Sequence, residues 1–533
     1  MSEAPPRPTL EEARERLRRL GYLHGTVERF VFRRALEDLS GFFVPVLAAG
    51  AIALALAETA AVASSQFRYG GSPRSVALLF LELAIVALLP AGVFAAMLLL
   101  AAARSRRPGR DAAVSALIAA IGVLAVWLAG TWRLGADRPS TALVWGVPVS
   151  LAALLAGATV RAAFLARAFT RSGRLPERPR RAILGFAAAG ALSVAVVVFA
   201  THREPARPAP PLPSPRRGTV VAVGIDGLAL DSRHGPGESA IARMLSAGAT
   251  GWWDARRASP AEIWTDLATG VPAARHGVRA LEWVRPFGLP PLRPPLATAW
   301  YFRGVGLAAR AVTRAPVSAW ERRSPAFWEV AGSAGLPALA VGWWASGPWD
   351  GVEVVENREV LARSAGGLDA DAVAIEEFER RSAGRALAAV YLPGADILRD
   401  DPAGRRAALA RLWLLLDRLI ARGRRGEIAL VVIAAESHPA PGARGRVVVF
   451  DGAFPAREVR VRPFDVAPSL LARAGVPAAR DLAGRPASDL FPPGSLETAT
   501  VDTYGDRIAT TTAPPRETDR EYLEKLKSLG YLQ

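Results

Sequence analysis

The chain contains no cysteine, which excludes disulfides and thiolate metal sites and leaves the redox compartment open. Histidine is scarce too. Only His24, His202, His234, His276 and His438 occur in 533 residues, so any imidazole ligand must come from these five. Acidic residues number 49 against 66 basic ones, a formal net charge of +17. Residues 1–217 hold 27 Arg and 13 Asp/Glu, a net of +14, which leaves +3 for residues 218–533. A near-neutral C-terminal half lacks the concentrated basic face of a nucleic-acid binder, so no nucleic-acid partner is expected.

Long apolar runs fill the N-terminal half instead. Five are long enough to cross a bilayer, at residues 41–62, 76–103, 112–132, 142–164 and 182–200. Arginine alternates between the segments that flank them. Arg14, Arg16, Arg18, Arg19, Arg29, Arg33 and Arg34 precede the first span, and Arg104, Arg106, Arg107 and Arg110 lie in the second loop. The fourth loop has Arg167, Arg171, Arg174, Arg178, Arg180 and Arg181, whereas the first and third loops carry two arginines each. By the positive-inside rule the N-terminus is cytoplasmic, and five crossings place everything after residue 200 outside. The first span has no short apolar region followed by a small-residue cleavage site, so it reads as a retained anchor in a cell (inner) membrane. Glu58 and Glu82 fall toward the outer ends of their spans, where reaching the headgroup layer is the favoured reading over a polar site in the bundle. A Pro-rich stretch, 201–217, forms an extended spacer.

Beyond the spacer, Thr219 to Gly227 (T-V-V-A-V-G-I-D-G) reads as a buried strand that delivers Asp226 to its carboxyl end, the edge where open α/β sheets bind ligands. Residues 259–277, S-P-A-E-I-W-T-D-L-A-T-G-V-P-A-A-R-H-G, read as a short helix opened by Ser259 and Pro260 and closed by Gly270 in a left-handed cap. A helix start that presents Ser259 beside free N–H groups is a natural place for a phosphate or sulfate. Further signatures follow in order: F-W-E-V-A-G-S from Phe327, Y-L-P-G-A-D from Tyr391, V-V-I-A-A-E from Val431, D-V-A-P-S-L-L from Asp465, and L-K-S-L-G-Y-L from Leu526.

Together these segments, over roughly residues 218–533, resemble the alkaline phosphatase superfamily, nearest its type I phosphodiesterase/nucleotide pyrophosphatase branch with sulfatases as relatives. The resemblance implies two metal ions, often zinc, around a Ser or Thr nucleophile, with a hydroxyl activated and a leaving oxygen stabilised. Residue by residue, Asp226 matches the first carboxylate ligand and Asp396 the second. The match then breaks. Asp400 stands where a ligand histidine is implied, and A-E-S-H at Ala435 to His438 replaces S-D-H-G, so Glu436 takes the Asp slot and Ser437 the His slot. His438 is one residue out of register. His276 matches a position whose role is more structural than ligating. Ser259 is the candidate nucleophile, one residue from the implied register and equally an N-cap, and Thr265 is the fallback hydroxyl.

Two readings stay open. In one, Asp226, Asp396, Asp400 and Glu436, with His438 as a weak fifth, form an oxygen-rich site. Such donors prefer Mg²⁺, Mn²⁺ or Ca²⁺ to Zn²⁺ and would serve phospho- or sulfoester hydrolysis or transfer. In the other, the site has decayed, no cofactor is held, and the domain binds or organises envelope components. Trp252, Trp253, Trp343, Trp344 and Trp349 form an aromatic group expected near the same edge, either as a substrate wall or as packing. The structural alternative for Asp396 and Asp400 is a solvated loop before a helix over 402–423 capped by Asp401.

The expected architecture is therefore a cytoplasmic amphipathic segment (1–40), a five-helix transmembrane domain (41–200), the spacer (201–217), an alkaline-phosphatase-like α/β domain (218–496) and a tail with a terminal helix (497–533). The expected partners are the membrane and a lipid-linked or envelope ester.

Overall fold

The computed structural model describes residues 218–228, 236–286, 306–364, 367–437, 442–507 and 518–532, with shorter stretches elsewhere that include a helix over 74–88. The chain divides into two units, one of residues 1–202 with 286–313, the other of 203–285 with 314–533. In the first, the expected spans at 41–62, 112–132, 142–164 and 182–200 lie wholly or largely outside the described residues, as do most of the N-terminal segment and the spacer. The span at 76–103 is described as far as residue 88. Among the described residues no helix is long and apolar enough to cross a membrane.

The second unit is built on an eight-stranded sheet. Its strands are β1 (Val220–Asp226), β2 (Ala249–Asp254), β5 (Ala338–Val341), β6 (Val352–Val355), β7 (Leu387–Leu392), β8 (Ala429–Ala435), β9 (Arg444–Phe450) and β10 (Glu458–Arg460). Two further strands, β3 (Glu282–Pro286) and β4 (Val312–Pro316), form a separate ribbon. The order across the large sheet is β10-β2-β9-β8-β1-β7-β5-β6. Only β9 runs antiparallel to its neighbours, β2 and β8. All seven residues of β1 are buried, as are all those of β7 and β8, because parallel strands with helices on both faces have no solvent side.

Alternate residues of β1 serve opposite faces. Val220 and Ala222 join a core with Trp264, Phe327, Trp328 and Leu470, whereas Val221, Val223 and Ile225 join Ile241, Phe378, Leu412 and Leu416. The first face is covered by α2 (Pro260–Thr269), α3 (Phe327–Ser333) and α7 (Val466–Arg473). The second is covered by α1 (Pro236–Leu245), α4 (Gly367–Arg381) and α6 (Pro402–Arg424). A central, mostly parallel sheet between two helix layers is the architecture expected of an alkaline-phosphatase-like domain.

Local rules hold at the element ends. Gly270 closes α2 at φ 68° with its N–H on Asp266 O, a left-handed cap that glycine adopts without strain. Asp401 caps α6 through its side chain, accepting from the N–H groups of Ala403 and Gly404. The last helix, α8 (Thr518–Ser528), buries Tyr522, Leu523 and Leu526, and Gly530 follows it at φ 79°.

Candidate functional site

The carboxyl end of β1 delivers Asp226 to a fully buried position, as the strand reading required. Three uncharged donors converge on it. Trp264 Nε1–H, from α2, donates to Asp226 Oδ2 at 2.9 Å, and the Tyr391 hydroxyl, from β7, donates to the same oxygen at 2.9 Å. Ser437 Oγ, just past β8, lies 3.0 Å from Oδ2 and 3.1 Å from Oδ1. Trp344 Nε1–H donates in turn to Tyr391 Oη at 2.9 Å. Trp264 reaches this far because Gly224 has no side chain: a Cβ there would stand 2.6 Å from the indole.

A second carboxylate presses close. Gly227 has φ 74°, and a Cβ on it would stand 2.5 Å from Asp396 Cα, so only glycine lets the β1 turn meet the short helix α5 (Gly394–Ile397). Arg405 of α6 ties the two turns together, donating to Gly227 O and to Ala395 O at 2.8 Å each. Behind α5, buried Asp371 of α4 accepts the Gly394 N–H at 2.8 Å. Burial, reinforced by the nearby Asp396 charge, raises the Asp226 carboxyl to about 8 despite its three hydrogen bonds. Burial likewise raises Asp371 to about 7.

The candidate residues separate sharply. Asp226 and Asp396 come together, but Asp396 is a buried residue of α5 and not part of a solvated loop, because Gly227 and Gly394 pack directly beside it. Asp396 Oδ1 faces Arg399 Nη1 at 3.6 Å. The side chain of Asp400 is 94 % exposed, with Arg399 Nε 3.6 Å away. Glu436 is half-buried directly after β8. His438 lies outside the described residues.

Ser259 occupies the N-cap position of α2, but its side chain makes no capping bond; its carbonyl accepts from the N–H groups of Glu262 and Ile263 instead. Ser259 Oγ is buried with no hydrogen-bond partner. Thr265 is wholly buried on α2, and its Oγ1 has no partner either.

His276 takes the structural role that the motif comparison gave it. Val278 N–H donates to Nδ1 at 3.1 Å, which leaves Nε2 to donate to Asp266 Oδ1 at 2.8 Å. Burial holds this imidazole below its ordinary pKa, partly opposed by Asp266. The tryptophans do not form one wall. Trp343 and Trp344 pack with Tyr391 beside Asp226, but Trp252 and Trp253 belong to β2, three strands away, where Arg444 lies 4.0 Å from the Trp252 ring centroid.

Sequence reasoning missed Trp264, Tyr391 and Ser437 as partners of Asp226, and it missed Tyr531. The ring of Tyr531 meets Trp344 edge to face at 5.6 Å, and its hydroxyl is buried. Burial and the Asp396 and Asp226 charges hold that phenol well above its ordinary pKa. The one available signal was that Tyr391 opens Y-L-P-G-A-D and Tyr531 sits in L-G-Y-L, both inside motifs already singled out.

A divalent ion at Asp226 is what the resemblance implies, and this donor set does not fit one. Both oxygens of Asp226 already accept protein hydrogen bonds, and the slot of an implied ligand histidine holds Ser437, which donates to that same carboxylate. Among the described residues no three His, Asp or Glu side chains are grouped to hold a metal ion.

No protein-family model matches the chain, and no curated protein does. Solved structures do. Murine ectonucleotide pyrophosphatase/phosphodiesterase 5 is similar at 16 % identity with a TM-score of 0.28, covering 41 % of this chain and 56 % of that one. Its inactive variant in complex with AMP gives the same values. The phosphonate monoester hydrolase of Silicibacter pomeroyi is similar at 12 % identity with a TM-score of 0.31, covering 51 % of this chain and 76 % of that one. The chain thus spans just over half the length of the murine structures. Both proteins belong to the alkaline phosphatase superfamily.

Proposed function

We propose that this is a membrane-anchored envelope protein whose extracytoplasmic domain keeps the fold of phosphoester-acting enzymes but serves as a binding or scaffold module. The observation that carries this reading is the closure of Asp226 by Trp264, Tyr391 and Ser437. A cation would have to displace Trp264, Tyr391 and Ser437 from Oδ2 and find further ligands, while the nearest second carboxylate already faces Arg399. Losing several ligands at once lowers metal affinity steeply. The competing reading is a phosphodiesterase or sulfatase-like hydrolase with a divalent metal. It has one specific observation in its favour: Ser259 Oγ stands at a helix start without a partner, as a waiting nucleophile would.

Elemental analysis of the purified full chain, with turnover measured on an aryl phosphodiester and an aryl sulfate, separates the two. The expected outcome is no stoichiometric metal, no turnover, and no change on Ser259→Ala. Metal-dependent turnover that Asp226→Ala abolishes would overturn the scaffold reading.

A further inference from the structure

A charged cavity lies in the α/β unit apart from the Asp226 site, and none of the residues that hold Asp226 lines it. Three guanidinium groups, Arg285, Arg358 and Arg507, and three carboxylates, Glu321, Glu356 and Asp519, line it. Its volume is about 80 Å³. By that measure a single water needs roughly 10–15 Å³, so the space suits a molecule of several non-hydrogen atoms. The fold uses only part of this chemistry. Asp519 Oδ1 accepts from Arg358 Nη1 at 2.9 Å and its Oδ2 faces Arg285 Nη1 at 3.5 Å, while Glu356 Oε2 lies 3.1 Å from Arg358 Nε. Arg507, whose side chain is 5 % exposed, is fixed by Glu329 Oε1 on Nε and by the Ala319 carbonyl on Nη1. Glu321 Oε2 accepts from the Ser318 N–H and hydroxyl at 2.8 and 2.6 Å. Among the described residues, Arg358 Nη2 and Arg507 Nη2 then donate no hydrogen bond, Glu321 Oε1 accepts none, and Glu321 forms no salt bridge.

Unused donors on two fixed guanidinium groups make a seat for an oxyanion, since arginine binds carboxylate and phosphate through its planar fork of N–H groups. The unused oxygen of Glu321 and the ring of neighbouring Trp320, which also lines the cavity, suit an ammonium group. The six formal charges of the lining cancel. A ligand of one sign would therefore leave an uncompensated charge in a partly buried space, and a ligand bearing both signs would not. We propose that this cavity binds a small zwitterion of the amino-acid class, its carboxylate on Arg358 and Arg507 and its ammonium on Glu321. The site stands whichever reading of Asp226 holds, because the two share no residue.

Equilibrium dialysis of the purified full chain against radiolabelled glycine, L-alanine and L-serine tests this, with unlabelled acetate, inorganic phosphate and methylammonium as competitors of one sign. At least one zwitterion is expected to be retained saturably at millimolar concentration or below. Each single-sign ion should compete at least about tenfold more weakly than the unlabelled zwitterion itself. Glu321→Gln keeps an acceptor for Ser318 but loses the charge, and Arg358→Gln removes a free donor while Arg285 still faces Asp519. Each should weaken retention on the order of tenfold. Circular dichroism checks that both variants fold, and an unchanged urea midpoint in Glu321→Gln assigns its loss to the site. Retention of none of the three zwitterions overturns the proposal. Phosphate competing as well as the best zwitterion also overturns it, as does undiminished retention by Glu321→Gln.

Discussion

At the scale of single residues, the two raised carboxyl groups make stability depend on pH in an uncommon direction. Asp371 binds a proton up to about pH 7 when folded and, with the ordinary carboxyl range of an aspartate, only up to about pH 4 when unfolded. Between those values the folded state holds more protons, so stability falls as pH rises, and the loss is complete above pH 7. Asp371→Asn keeps an acceptor for the Gly394 N–H and removes the titration. Its midpoint of urea unfolding is expected to vary less between pH 4 and 7 than that of the parent, with the variant gaining relative to it toward pH 7. A slope identical in the two proteins would contradict the burial argument.

Among elements, the salt-bridged start of α3 is the sharpest place to probe. Glu329 is wholly buried and accepts from Arg322 Nη1 and Nη2 at 2.7 and 2.6 Å, from Arg507 Nε at 3.1 Å and from Ala326 N–H at 3.0 Å. Burial alone would raise this carboxyl, but the two guanidinium groups outweigh it and hold it below its ordinary range. Glu329→Gln leaves two buried cations facing a neutral amide, and equilibrium denaturation should register a loss of roughly 3–5 kcal/mol. A loss under about 1 kcal/mol, the scale of an exposed pair, would mean that water reaches the triad.

Elements like these were readable in part. The β1 strand, the Gly270 cap and the Asp401 cap follow from an unbroken apolar run, a glycine and a capping carboxylate, all local signals. The partners of Asp226 follow from none: Trp264, Tyr391 and Ser437 stand 38, 165 and 211 residues from it, and no period in the chain relates them. Asp396 misled for the same reason, since its burial depends on Gly227 approaching from another strand. The absence of the implied histidines was legible, but the hydrogen bond that Ser437 makes in their place was not.

For the whole molecule, the C-terminal segment is a structural member of the α/β unit. Tyr522 Oη donates to Asn357 Oδ1 at 2.8 Å, and Asn357 Nδ2 donates to Gly342 O at 2.7 Å, tying α8 to the end of β5. Leu526 is wholly buried. Leu526→Ala is expected to cost about 2–5 kcal/mol, as a core truncation does. Lys527→Ala, one position away on the exposed side, should change stability by less than about 0.5 kcal/mol. Similar small losses for both, by thermal or chemical unfolding, would show the segment to be loosely attached. The placement of Tyr531 against Trp344 bears on when the protein becomes whole. The residues that finish this hydrophobic face follow every strand of the sheet in chain order, so during synthesis the sheet waits with an open flank until they emerge. Until the segment carrying Leu526 and Tyr531 docks, that flank is bare to chaperones and proteases.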